Sequence, residues 1–317
     1  MLQAALDLGG TRIKFGLISN GQCVVTSSLA IPSSERFATV LPLIEAEIYR
    51  MMRESGFTRL DGVGMAFPTI VDSDRMRLLY QYVKYTDAND LDLTTWAKAR
   101  WNATLVMEND ARAALVGEWQ FGAGQGVDNL VMVTLGTGVG SAALVNGRLL
   151  KGSHYLAGNL GGHQTIRFDG KRCNCGNIGC LESEASSWAL PEMIKRHALY
   201  AESPFAQGEK PDFEAVFRLA TAGDPLAVSV RDHCLEAWAA GILNLVYAYD
   251  PDRIVIGGGV MHSAELILPF IQQKIAQAAW LPVNAVQVVA AEQPDWAGVL
   301  GMGYLGTTKK GITVFKI

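Results

Sequence analysis

At 317 residues the chain exceeds the size at which one hydrophobic core stops growing, and a prior of about 150 residues per domain predicts two lobes. Lys and Arg number 27 against 31 Asp and Glu, a net charge of -4 without the basic excess that a phosphate backbone selects, which argues against nucleic acid as a partner. No apolar run of about 18 residues occurs, and Met1 to Asp7 has neither the basic segment nor the apolar stretch of a leader, so a cytoplasmic protein with no membrane partner is expected.

Residues 2–6 read as a short apolar strand, Asp7-Leu-Gly-Gly-Thr11 as a turn, and Ile13 to Ile18 and Cys23 to Ser28 as two further strands of a meander. Apolar residues at helical spacing fill Phe37 to Met52, and Gly62 to Phe67 is a strand ending at Pro68. Asp92 to Trp101 is a helix and Thr104 to Met107 a strand, and Asn109-Asp110 caps a helix over Ala111 to Trp119 because a short acceptor side chain satisfies first-turn amides. The pattern then restarts: strand Leu130 to Leu135, glycine turn 136–140, strand Ser141 to Val145, and an Asn146-Gly147 hairpin signal. Helical patterns dominate from Ser187 to Tyr249, a buried strand covers Ile254 to Ile256, and helices cover Ala264 to Ala278 and Ala297 to Leu305. The domains are expected at 1–118 and 119–317, with the last helix packing back on the first. Lys309 and Lys310 read as solvated charge.

Three groups of residues carry chemistry. The turn holding Gly9, Gly10 and Thr11 lies between two strands, with Asp7 before it and Arg12 and Lys14 after it. Glycines let backbone amides approach phosphate oxygens, and Asp7 suits Mg²⁺ held through water. A plain hairpin turn would account for it equally well, but a second turn, Leu135-Gly136-Thr137-Gly138-Val-Gly140, repeats it in the other half. Neither turn ends in Gly-Lys-Ser/Thr or opens a helix, so neither is a Walker loop or a dinucleotide fingerprint. Second, Asn109-Asp110 at a helix start would by itself more often be a plain cap, but within the set of motifs Asp110 suits a general base in phosphoryl transfer to an alcohol, with Asn109 able to donate to and accept from vicinal hydroxyls. Third, Cys173, Cys175 and Cys180 follow Cys-x-Cys-x4-Cys spacing ten residues after His163. Three thiolates and one imidazole make a closed, structural Zn²⁺ site.

Asp7-Leu-Gly-Gly-Thr11, Glu108-Asn-Asp-Ala111, Leu135-Gly-Thr-Gly-Val-Gly140, Cys173-Asn-Cys-Gly-Asn-Ile-Gly-Cys-Leu-Glu182 and Ile256-Gly-Gly-Gly-Val260 together resemble, in order, the motifs of the ROK family of sugar kinases and repressors. The resemblance implies an α/β, two-lobed actin-like (ribonuclease H-like) fold with a cleft between the lobes. It implies an ATP-dependent, glucokinase-like kinase acting on a primary hydroxyl of a hexose or hexose derivative, with Mg²⁺ and structural Zn²⁺, as a homodimer. Asn109, Glu182 and zinc-bound His163 then shape the sugar site, and Gly257, Gly258 and Gly259 lie by the adenosine. Repressors of the family carry a winged helix before the first turn; here that turn starts at residue 7, so a kinase is expected.

Two departures bear on the substrate. Family kinases read Ala-Gly-Glu-x-Gly-His where this chain reads Ala157-Gly-Asn159-Leu160-Gly-Gly-His163, so Asn159 or Leu160 replaces a sugar-gripping carboxylate. Thr69, in Phe67-Pro68-Thr69, stands where the family has a glycine beside the sugar, and His154 and Tyr155 are larger than usual. These leave the sugar open and keep an alternative in view: a sugar-binding regulatory protein of the same fold with little or no catalysis. A non-sugar polyol acceptor is a third option.

Overall fold

The computed structural model describes residues 1–31, 35–80, 85–277, 280, 282 and 285–307; Lys309 and Lys310 lie outside them. In chain order these residues form β1 (Leu2–Leu8), β2 (Ile13–Ser19), β3 (Gln22–Leu29), α1 (Phe37–Glu54), β4 (Gly62–Phe67), β5 (Val71–Asp72), β6 (Arg77–Leu78), α2 (Leu93–Trp101), β7 (Thr104–Asn109) and α3 (Asp110–Phe121). There follow β8 (Leu130–Leu135), β9 (Val139–Val145), β10 (Arg148–Leu149), α4 (Leu181–Ala185), α5 (Leu190–Lys195), α6 (Phe213–Thr221), α7 (Pro225–Tyr249), β11 (Arg253–Gly257), α8 (Ala264–Ala276), β12 (Gln287–Ala290) and α9 (Ala297–Thr307). The separately predicted strands and helices recur with ends within two residues, whereas β12 and the small β5–β6 hairpin were not anticipated.

The chain divides into two compact units: Met1–Gly126 with Gly147–Ala157 and the segment from Glu292 onward, and Val127–Asn146 with Gly158–Ala291. A 118/119 boundary falls inside α3, which runs unbroken to Phe121. At that point the fully buried Glu118 carboxylate accepts from the amides of Ala123 (2.9 Å), Glu292 (3.1 Å) and Gln293 (2.7 Å), fastening the entry of α9 to the end of α3.

In the first unit the sheet order is β3-β2-β1-β4-β7, with β1 antiparallel to β2 and parallel to β4, and β4 parallel to β7. Parallel pairing brings the carboxyl ends of β1, β4 and β7 to one edge, so Asp7, Ala66 and Glu108 stand in line across three strands. Helix α1 buries Phe37, Val40, Leu41, Ile44, Ile48, Met51 and Met52 at helical spacing. Its first amides are capped not by Arg36 but by Asp87, whose carboxylate accepts from Phe37 and, at 3.2 Å, from Ala38.

Helix α9 packs on α3 through backbone rather than side chains. A Cβ at Gly301 would lie 1.9 Å from the Ala113 carbonyl, and one at Gly117 would lie 2.0 Å from that of Ala297. In the second unit β9-β8-β11-β12 repeats the arrangement, one antiparallel pair followed by parallel ones. There α7 starts at Asp224, whose carboxylate accepts from Ala227 (2.8 Å), and buries Trp238, whose indole donates to Ala185 O at 2.8 Å.

Gly301→Ala should therefore destabilise the protein by about 1–3 kcal/mol in urea unfolding, although alanine is favoured over glycine in a free helix by about 1 kcal/mol. An unchanged or raised midpoint would show that the two helices separate at no cost.

Candidate active site

The site residues of the first unit come from the aligned strand ends. Asp7, one residue before the end of β1, pairs in register with Lys14 on β2 across the turn of Gly9, Gly10 and Thr11. A Cβ at Gly9 would meet Arg12 O at 2.8 Å, and the Gly9 carbonyl accepts from the Tyr85 phenol at 3.1 Å, so the turn is tight and anchored. Thr11 is exposed at its tip. The Lys14 ammonium is directed at Asp295, 2.6 Å from its carbonyl and 3.1 Å from its carboxylate, and lies 5.9 Å from the Trp296 ring centroid.

The Asp7 carboxyl is raised from 3.8 to about 6 by burial, then by the negative charge of Asp110, with Lys14 opposing. Asp110 opens α3. Its Oδ1 accepts from Ala111 N (2.8 Å) and from Asn109 Nδ2 (2.9 Å), which fixes the carboxylate plane. Asn109 is the helix cap, its Oδ1 accepting from Arg112 N at 3.2 Å while Nδ2 also donates to Thr69 O at 3.2 Å. Thr69 is thus joined through its backbone to Asn109, and its hydroxyl donates to Tyr80 O at 3.3 Å.

Behind this turn lies a buried charge cluster that sequence reasoning missed: Glu108 (1 % exposed), Arg112 (0 %) and Lys151 (7 %). Lys151 Nζ is 3.0 Å from Glu108 Oε2, and Arg112 is 3.5 Å from Oε1. The four-residue spacing of Glu108 and Arg112 across a helix start was legible in principle; the partner 39 residues further on was not.

In the second unit Gly136, Thr137 and Gly138 join β8 to β9, and Gly257 ends β11, paired with Thr134, with Gly258 and Gly259 following it. Gly258 needs its positive φ of 95°, and a Cβ there would also lie 2.2 Å from Leu135 O. Glu182, 8 % exposed, has its oxygens engaged by protein donors: Val139 N at 2.9 Å, the Trp188 indole at 3.1 Å and Asn174 Nδ2 at 3.3 Å. Four lone-pair directions leave it room for one more donor. Asn159 is 8 % exposed, and among the described residues neither its amide oxygen nor its amide nitrogen has a hydrogen-bond partner.

His163, Cys173, Cys175 and Cys180 come together with their ligand atoms all within 4.8 Å of one another. Cys173 Sγ lies 3.6 Å from His163 Nδ1, and Cys175 Sγ lies 3.7 Å from Cys180 Sγ. A tetrahedron with metal–sulfur bonds of about 2.3 Å has edges of about 3.8 Å, so the four donors fit a zinc ion in number, chemistry and spacing. Burial pushes the Cys173 thiol up to about 12, so binding there would release protons.

The ROK family profile matches residues 3–309. The chain belongs to the ROK family. It is 30 % identical over 311 residues to a glucokinase of Thermotoga maritima, covering 93 % of this chain and 94 % of that protein. A ROK family glucokinase from Streptomyces griseus, solved with glucose and AMPPNP, superposes with a TM-score of 0.76 at 30 % identity, over 96 % of this chain and 99 % of the other. The xylose repressor of Bacillus subtilis is 25 % identical over 299 residues, 93 % of this chain but 71 % of the repressor. The ROK chain therefore has the α/β, actin-like fold of the family's kinases. Among its described residues no helix is long and apolar enough to cross a membrane.

The raised Asp7 pKa has a stability consequence in the ligand-free ROK protein. The folded state holds the Asp7 proton more tightly than the unfolded state, so stability falls as pH rises from about 4 through about 6. Asp7→Asn should stabilise the ligand-free protein by about 1–3 kcal/mol at pH 7.5 and leave it near wild type below pH 4. Equal unfolding midpoints at pH 7.5 would contradict the burial and repulsion assigned to this carboxylate.

Proposed function

We propose that the chain transfers the γ-phosphoryl group of ATP to a primary hydroxyl of a hexose or hexose derivative, with Asp110 taking the hydroxyl proton. It is an enzyme of the sugar-kinase class, as the glucokinase relatives and the ROK glucokinase with bound glucose and AMPPNP support. The observation that carries the residue assignment is the Asp110 carboxylate, fixed by Ala111 N and Asn109 Nδ2 at the start of α3 and felt electrostatically by the partly buried Asp7. As the sugar oxygen bonds to the γ-phosphorus, the bond from that phosphorus to the bridging oxygen of ADP breaks and the hydroxyl proton passes to Asp110. A nucleotide-bound Mg²⁺ would supply charge neutralisation of the phosphates, with Asp7 its holder through water. The turns of Gly9, Gly10 and Thr11 and of Gly136, Thr137 and Gly138 each take a phosphate-binding role, Lys14 lends positive charge beside the first, and Gly257 to Gly259 pack by the adenosine.

For the sugar we assign Asn109, Asp110, Thr69, Asn159, His163 and Glu182. The buried, unpartnered amide of Asn159 supports this, since such a group is costly unless a ligand or water meets it. Its one donor and one acceptor, in place of a carboxylate, favour a partner that itself offers both. Structural Zn²⁺ in the His163, Cys173, Cys175 and Cys180 site would hold the segment carrying Glu182. A cytoplasmic homodimer completes the reading on the family pattern.

A regulatory sugar binder is the second reading, favoured by the likeness to a xylose repressor and by Asn159 and Leu160 standing where a carboxylate is usual. A coupled ATP-consumption screen over hexoses, amino sugars and N-acetyl amino sugars separates the two. Turnover of at least one sugar, reduced about 10²–10⁴-fold by Asp110→Asn with unfolding unchanged, is expected. Saturable sugar binding with no turnover would replace the kinase by the binder. Elemental analysis of protein purified without chelator should find one zinc per chain, lost in Cys175→Ser; zinc-free wild type would remove the metal.

A further inference from the structure

The buried cluster behind the catalytic turn ties together three distant stretches of chain. Glu108 Oε1 accepts from the next backbone amide, Asn109 N, at 3.0 Å, and so orients the peptide from which the Asn109 and Asp110 side chains project. Its other oxygen meets Lys151, whose ammonium also donates to Ser73 Oγ at 2.5 Å. Arg112 turns one nitrogen, Nη2, toward three carbonyls of a single loop: Ala157 at 2.8 Å, Tyr155 at 3.1 Å and Lys151 at 3.5 Å. That loop is closed by Ala157 N donating to Lys151 O at 3.1 Å, and it holds Tyr155 at a left-handed φ of 59° with its phenol hydrogen-bonded to Asp72.

Stability does not explain such an arrangement. Apolar residues of similar volume often replace buried ion clusters at no cost, because the desolvation of the charges offsets their attraction. What the cluster supplies is fixed geometry. The loop is the part of Gly147–Ala157 that leaves the second unit and belongs to the first, and Gly158 and Asn159 follow it directly in the chain.

We propose that Lys151 is a positioning residue, which through Glu108 sets the turn bearing Asn109 and Asp110 and, with Arg112, locks that turn to the loop leading into Asn159. The inference rests on the reading of Asp110 as the base. It predicts that loosening the clamp damages phosphoryl transfer and sugar affinity while sparing ATP, since displacement of a reacting group by about 1 Å can cost about 10²-fold in rate.

The test is the double variant Glu108→Gln/Lys151→Met, which removes the ion pair and keeps the cluster's net charge, assayed with Mg·ATP and the hexose that the coupled screen finds turned over fastest. The expected result is folded protein with a lowered urea midpoint, because Arg112 also loses its carboxylate partner, together with kcat lowered about 10- to 100-fold, sugar KM raised several-fold and ATP KM within about twofold of wild type. Wild-type kcat and sugar KM would overturn the proposal, as would equal losses toward sugar and ATP. If the double variant does not fold, Ser73→Ala carries the test: a drop of at least about threefold in kcat with unchanged ATP KM supports the clamp, and wild-type constants overturn it. Asp110→Asn, run alongside, separates the two claims. An inactive Asp110→Asn beside fully active clamp variants defeats only the positioning role, whereas an active Asp110→Asn defeats the base and the clamp with it.

Discussion

The constraint on which the first unit turns is electrostatic: the Asp7 carboxylate is desolvated and feels the negative charge of Asp110. The parallel register of β1, β4 and β7 puts Asp7 and Glu108 on one line, and the turn after Glu108 brings in Asp110, whose charge helps raise Asp7 to about 6. Lys14 opposes this only in part, and its ammonium also pairs with Asp295. Keeping the pair costs the ligand-free fold stability as pH rises through about 6.

The rest of the unit is built to keep that edge in place. The glycines of α9 let two helix backbones touch, and Glu118 collects amides from both sides of the junction where the chain re-enters. Asn109 uses both ends of its amide on Arg112 and on Asp110 and Thr69, so it fixes the Asp110 carboxylate and the start of α3 together. Glu182 has a similar part in the second unit, joining the β8–β9 turn, the cysteine knuckle and Trp188.

Much of this was legible in the residues. Periodicity located α1, since Phe37, Val40, Leu41, Ile44 and Ile48 repeat at helical spacing, and the strand-joining glycine turns and the clustered Cys-x-Cys-x4-Cys run stood out because their patterns are local. The unforeseen features are those whose partners lie far along the chain. Asp87 caps a helix that begins 50 residues earlier, Lys151 meets Glu108 across 43 residues, and Glu118 meets Gln293 across 175. A domain boundary drawn at one position cannot represent a chain that returns twice to its first unit, at Gly147 and at Glu292. β12, four residues long, is too short for its alternation to stand out from a loop.

The crowding of Asp7 by burial and by Asp110 is most directly tested by following the Asp7 side-chain carboxyl by carbon NMR between pH 4 and 8 in ligand-free protein. A midpoint near 6, moving down in Asp110→Asn, is the predicted result. A midpoint near the ordinary 3.8 that is the same in both proteins would contradict it.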